Sequence, residues 1–122
     1  MVNKDSDDLS SILVGEYLSE VDFVMDYLRL RFDHCSLTII ADAVLRTPAG
    51  ELKQNSGEFC VELINCNGQK VENASIQKGE FLKVDFHNGY EFFVSMDREA
   101  YETYKLAEAV TFNHDDGRWW VW

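Results

Sequence analysis

Phe81-Leu-Lys-Val-Asp-Phe-His-Asn-Gly-Tyr-Glu-Phe-Phe-Val-Ser-Met96 is the stretch whose reading decides the fold. Apolar residues alternate with polar ones on either side of a turn signal, which is the pattern of two half-buried strands. The turn has two possible registers. A two-residue Asn88-Gly89 loop would set His87 opposite Tyr90 and scatter the apolar residues over both faces. A three-residue loop, His87-Asn88-Gly89, sets Phe86 opposite Tyr90, with Gly89 in the left-handed conformation of a G1 bulge. Leu82, Val84, Phe86, Tyr90, Phe92, Val94 and Met96 then share one face, so the sequence predicts the three-residue loop.

Upstream of this hairpin, Val71 to Ile76 reads as a further strand, set off by Gln77-Lys78-Gly79-Glu80. The clearest helix covers residues 56–66. Asn55 is its expected N-cap, Glu58 the capping-box partner, Phe59, Cys60, Leu63 and Ile64 its apolar stripe, and Gly68 the residue past its end. Leu37 to Arg46 alternates as one strand and is closed by Thr47-Pro48-Ala49-Gly50, while Asp33-His34 turns the chain into it. Residues 17–32 also alternate, but parity switches near Met25-Asp26. One residue of slip reverses every later side chain, so the expectation is a long bent strand with a β-bulge around Met25 to Tyr27; a strand covered on both faces is the competing reading.

At the N-terminus, residues 1–7 read as a frayed tail, followed by a short helix on Leu9, Ile12 and Leu13 behind Asp7 and Asp8, ending near Gly15. Asp97 is the expected cap of another helix running to about Lys105. Residues 107–113 and 118–122 form a last hairpin closed by His114-Asp115-Asp116-Gly117. Trp119, Trp120, Val121 and Trp122 carry too much apolar surface to be left in water. The resulting expectation is an α+β domain: a mostly antiparallel curved sheet or partly closed barrel of six to seven strands, with two or three short helices. All 122 residues belong to this single domain, the first seven as its tail.

Hydrophobic residues make up 46% of the chain and charged ones 27%, which disfavours wholesale disorder. The 22 acidic and 11 basic residues give a formal charge of -11, which disfavours nucleic-acid and anionic membrane surfaces and favours a basic protein partner. Cys35, Cys60 and Cys66 are odd in number and contain no CxxC pair, so reduced thiols are expected. No export signal and no membrane-length apolar run is present, and a cytoplasmic location is the expectation.

Glu16-Tyr-Leu-Ser-Glu-Val-Asp-Phe-Val-Met-Asp-Tyr-Leu-Arg-Leu-Arg-Phe32, together with Asp116-Gly-Arg-Trp-Trp-Val-Trp122, resembles a family of small uncharacterised bacterial proteins. The resemblance implies a compact domain of bacterial type and carries no assigned activity or site.

Few residues stand out as candidates for chemistry. Asp26 shares parity with Val24, Leu28 and Leu30, and a carboxylate facing a core needs hydrogen bonds or a cation. The simpler alternative turns it outward at the bulge or pairs it with Arg29 or Arg46. His34, His87 and His114 all stand beside turns, without the spacing of a metal site. Asp115-Asp116-Gly117 lacks the alternating ligands of a calcium loop and reads as a turn. No phosphate-binding glycine loop and no nucleophile elbow occurs, so neither a cofactor nor a metal is implied. Along the last strand, Trp120 and Trp122 fall on one face and Trp119 and Val121 on the other.

These features favour a non-enzymatic, acidic protein-interaction domain, of the kind that an immunity-like inhibitor of a basic protein would use. Its candidate surface comprises Asp26, Asp115, Asp116, Trp119, Trp120 and Trp122, with an exposed tryptophan or strand edge also able to form a homodimer. The alternatives are a carrier with an aromatic-lined cavity for a small apolar ligand, and an acid-base or metal-assisted enzyme using Asp26 and histidines.

Overall fold

Two antiparallel five-stranded sheets and two helices occupy the residues that the computed structural model describes, which are 4–25, 27–54, 56–96 and 110–122. The elements run α1 (Lys4–Leu13), β1 (Leu18–Val24), β2 (Tyr27–Phe32), β3 (Cys35–Ile39), β4 (Ala43–Thr47), β5 (Gly50–Lys53), α2 (Gly57–Ile64), β6 (Val71–Gln77), β7 (Phe81–Phe86), β8 (Glu91–Ser95), β9 (Val110–His114) and β10 (Trp119–Val121). The first sheet has the order β1-β2-β3-β9-β10 and the second β5-β4-β8-β7-β6.

Alternation explains the core. Leu28, Leu30 and Phe32 of β2, Leu37 and Ile39 of β3, and Phe112 of β9 are buried from the first sheet. Leu45, Leu82, Val84, Phe86, Phe92 and Val94 are buried from the second, and all belong to one hydrophobic cluster with Phe59 and Leu63 of α2 and Leu9 and Leu13 of α1. Each such side chain contributes on the order of 1.5–3 kcal/mol through burial. The sheets are not closed into a barrel. They meet at one corner, where Gly15 N–H donates to Val71 O, Val71 N–H to Glu16 O, and Leu18 N–H to Gln69 O.

The three-residue turn forms as the sequence predicts. Phe86 N–H donates to Tyr90 O at 2.9 Å, Gly89 N–H donates to Phe86 O at 3.0 Å, and Gly89 has φ 88°. A Cβ at Gly89 would meet Pro48 Cγ at 3.9 Å, an ordinary contact, so the cost of a side chain there is conformational. Gly89→Ala is expected to destabilise the fold by about 1–2 kcal/mol, the penalty of a left-handed L-residue, as measured by urea denaturation.

Several expectations need correction. There are ten strands among the described residues rather than six to seven, and two sheets rather than one curved sheet or partly closed barrel. The single bent strand is replaced by two: β1 and β2 pair antiparallel with Val24 opposite Tyr27, so the parity switch marks the passage from one strand to the next. The register irregularity of β1 lies instead between Leu18 and Glu20. Residues 37–46 likewise split into β3 and β4, which belong to different sheets. Ile39, Ala41 and Ala43 are all buried, so alternation continues through the crossing and hides it. β5 is too short, at four residues, for periodicity to reveal.

The N-terminal helix begins at Lys4, inside the segment expected to be a tail, with Asp5 and Asp7 in its first turn, where acidic groups suit the helix dipole. Ser56 caps α2: its Oγ accepts from Phe59 N–H at 3.2 Å, which places Glu58 two residues past the cap instead of the three that a capping box needs. Asp26, Asn55 and the helix expected from Asp97 to Lys105 lie outside the described residues.

Candidate interaction surface

The hairpin β9–β10 is built like the one at residues 86–90. His114 N–H donates to Arg118 O at 2.9 Å, Gly117 N–H donates to His114 O at 3.0 Å, and Gly117 has φ 96°. Asp116 takes the place that Asn88 has in the other loop. Its Oδ1 accepts from Arg118 N–H at 2.9 Å, as Asn88 Oδ1 accepts from Tyr90 N–H at 3.0 Å. A second oxygen accepts from Arg118 Nε at 2.7 Å. The backbone donation from Arg118, supported by its guanidinium, holds the Asp116 carboxyl below its ordinary value.

The neighbouring turn is brought alongside by Asp115, whose N–H donates to His34 O at 2.9 Å. His34 is in turn tied to Glu16, which accepts from its backbone N–H at 3.0 Å and meets ring Nδ1 at 3.0 Å. Asp33 and Asp115 are both exposed, and neither has an ion-pair partner among the described residues. Glu16, Asp33, Asp115 and Asp116 therefore form an acidic lip at one end of the first sheet.

Beneath that lip, Cys35 is buried opposite His114 in the ladder. Desolvation, followed by the charges of Glu16, Asp115 and Asp33, pushes its thiol up to about 12. Burial pushes Cys66 up to about 11. A raised thiol favours folding fully below the ordinary value of 9.0, and that contribution is lost as pH climbs toward 11 and 12. Iodoacetamide at pH 8 is expected to modify half-buried Cys60 first, and Cys35 and Cys66 only on unfolding; peptide mass mapping reads the order.

The tryptophans divide as alternation predicts. Trp122 is buried and Trp120 half-buried, and Phe112 packs against both rings, with centroids 5.2 Å from Trp120 and 6.3 Å from Trp122. Trp119 is 66% exposed and Val121 39% on the opposite face. Of the six residues singled out in the sequence, Asp115, Asp116 and Trp119 thus stand exposed on one hairpin. Trp120 and Trp122 serve the core instead. Asp33 and Val121 join the surface; parity with Trp119 marks Val121, whereas Asp33 is recognisable only once the two turns are seen to adjoin.

Comparison with protein-family models, with curated proteins and with solved structures found no match.

The remaining candidates are dispersed. Each histidine has a local partner: His34 meets Glu16 and His87 meets Glu72, while His114 Nδ1 accepts from the Asp116 backbone N–H at 3.1 Å. Among the described residues no group of three or more His, Cys, Asp or Glu side chains is placed to hold a metal ion. An open groove of about 710 Å³ runs past Val14, Tyr17, Lys70, Glu72 and His87, at the corner where the sheets meet. No helix among the described residues is long and apolar enough to cross a membrane.

Proposed function

We propose that this chain is a non-enzymatic interaction domain for a basic protein, engaged through the β9–β10 hairpin. The observation that carries the reading is the exposure of Trp119 on the same hairpin as the exposed Asp115 and Asp116, whose loop is joined to the Asp33-His34 turn through Asp115 N–H and His34 O. An exposed aromatic ring supplies contact area at low entropic cost, and tryptophan is enriched among the residues that dominate binding energy. Surrounding carboxylates, in a chain of net charge -11, draw a cationic partner and reject anionic ones. An immunity-like inhibitor of a cationic toxin, acting in a bacterial cytoplasm, is the biological form that fits this chemistry.

The carrier reading draws less support, because the Phe112 ring packs against those of Trp120 and Trp122 as part of the hydrophobic core. Titration with a capped heptapeptide, Lys-Arg-Val-Thr-Val-Arg-Lys, tests the interaction reading against the counterpart with glutamate at its four basic positions. Binding of the basic peptide alone, weakening at least about tenfold between 50 and 500 mM salt, is the expected result. Equal binding of the two peptides, or none of either, would remove the reading.

A further inference from the structure

Every open sheet has two edges, and this molecule treats its four edges differently. β6 is covered by α1, whose Ser6 Oγ accepts from Ile76 N–H at 3.2 Å. β5 exposes charged Glu51 and Lys53. β1 carries Glu20 and Asp22, paired with Arg31 at 3.4 Å and Arg29 at 4.0 Å. Helical cover and charged side chains are how natural sheets avoid pairing with foreign strands. Among the described residues β10 has neither, and presents Trp119 and Val121.

Backbone geometry at β10 is equally open. Val110 and Trp122 exchange both hydrogen bonds, at 2.9 and 3.1 Å, and His114 N–H donates to Arg118 O. In an antiparallel ladder the bonded pairs alternate, so Phe112 and Trp120 form the bonded pair between them, while Trp119 and Val121 are out of phase. The N–H and C=O groups of Trp119 and Val121 consequently point away from β9, and no hydrogen bond takes them up among the described residues.

We infer that the β10 edge receives an extended segment of the basic partner as a sixth strand of the first sheet, a mode that rests on the proposed function above. An antiparallel strand in this place sets two of its residues opposite Trp119 and Val121, with four backbone groups paired across the new ladder. Those two residues project onto the outer face beside the indole and the valine, where apolar or β-branched side chains fit. Beyond the Arg118 end of β10 lie Asp33, Asp115 and Asp116, so basic residues of the partner fall at that end of the apolar pair. A second copy of this chain fits the edge less well, because it brings a further charge of -11 to it.

The basic heptapeptide carries this pattern, and two reagents isolate the backbone contribution. N-methylation of both valines removes the donors that face β10 and keeps every side chain. Val121→Pro removes an outward N–H without touching the bonds to β9. Each change is expected to weaken binding at least tenfold, with the unfolding midpoint of the proline variant checked by thermal denaturation. Should the methylated peptide bind the unaltered protein as tightly as the parent, strand addition is overturned while the interaction reading stands; if the unmethylated peptide fails to bind, both fall. A dimer of this chain that Val121→Pro abolishes would assign the edge to a second copy and overturn the basic occupant.

Discussion

Phe112→Ala is expected to lower the free energy of unfolding by about 3–5 kcal/mol, the cost of removing a buried phenylalanine ring from a close-packed core. Phe112 is fully buried in β9, the strand that links the β1–β2–β3 meander to β10. Its ring packs against both Trp120 and Trp122 and stands opposite Leu37 in the ladder. Truncation therefore removes apolar contact and also withdraws support from two indoles, whose fluorescence should shift to the red. Equilibrium urea denaturation measures the loss. A value below 1 kcal/mol would mean that the closing hairpin is not integral to the core.

Trp119→Ala is expected to do the opposite. Its indole is 66% exposed, so stability should change by no more than about 0.5 kcal/mol. Affinity for the basic heptapeptide should fall by roughly thirtyfold, equivalent to about 2 kcal/mol, as for a central aromatic contact. The pairing of these two results matters, because two aromatic residues on adjacent strands would then separate folding from binding cleanly. Unchanged affinity would remove Trp119 from the surface.

How much of this was legible in the sequence depends on the distance over which a signal acts. The turn at residues 87–89 is local chemistry, set by Gly89 and by the face that its register creates, and it forms as read. The alternation of Trp119 to Trp122 is local too. Parity alone, however, cannot separate a bulge within one strand from a change of strand, since both displace later side chains relative to earlier ones; the antiparallel pairing of Val24 with Tyr27 decides for two strands. Nor can it show a strand leaving one sheet for another when the connecting residues keep one side inward, as Ala41 does between Ile39 and Ala43. The six or seven expected strands became ten among the described residues for these reasons, together with the brevity of β5. The acidic lip was beyond sequence reading in a further way: Asp33 and Asp115 are far apart in the chain, and β3–β9 pairing alone brings their turns together. Asp26, the lone acid suggested by strand parity, lies outside the described residues.

Amide hydrogen exchange at the tryptophan-rich strand, followed residue by residue by NMR, tests the open edge most directly. Trp120 and Trp122 amides should be protected by their bonds to β9, and Trp119 and Val121 amides should exchange at rates close to those of an unstructured chain until the basic heptapeptide is added. Strong protection of Trp119 and Val121 in the free protein would contradict the account, since their outward backbone groups would already be taken.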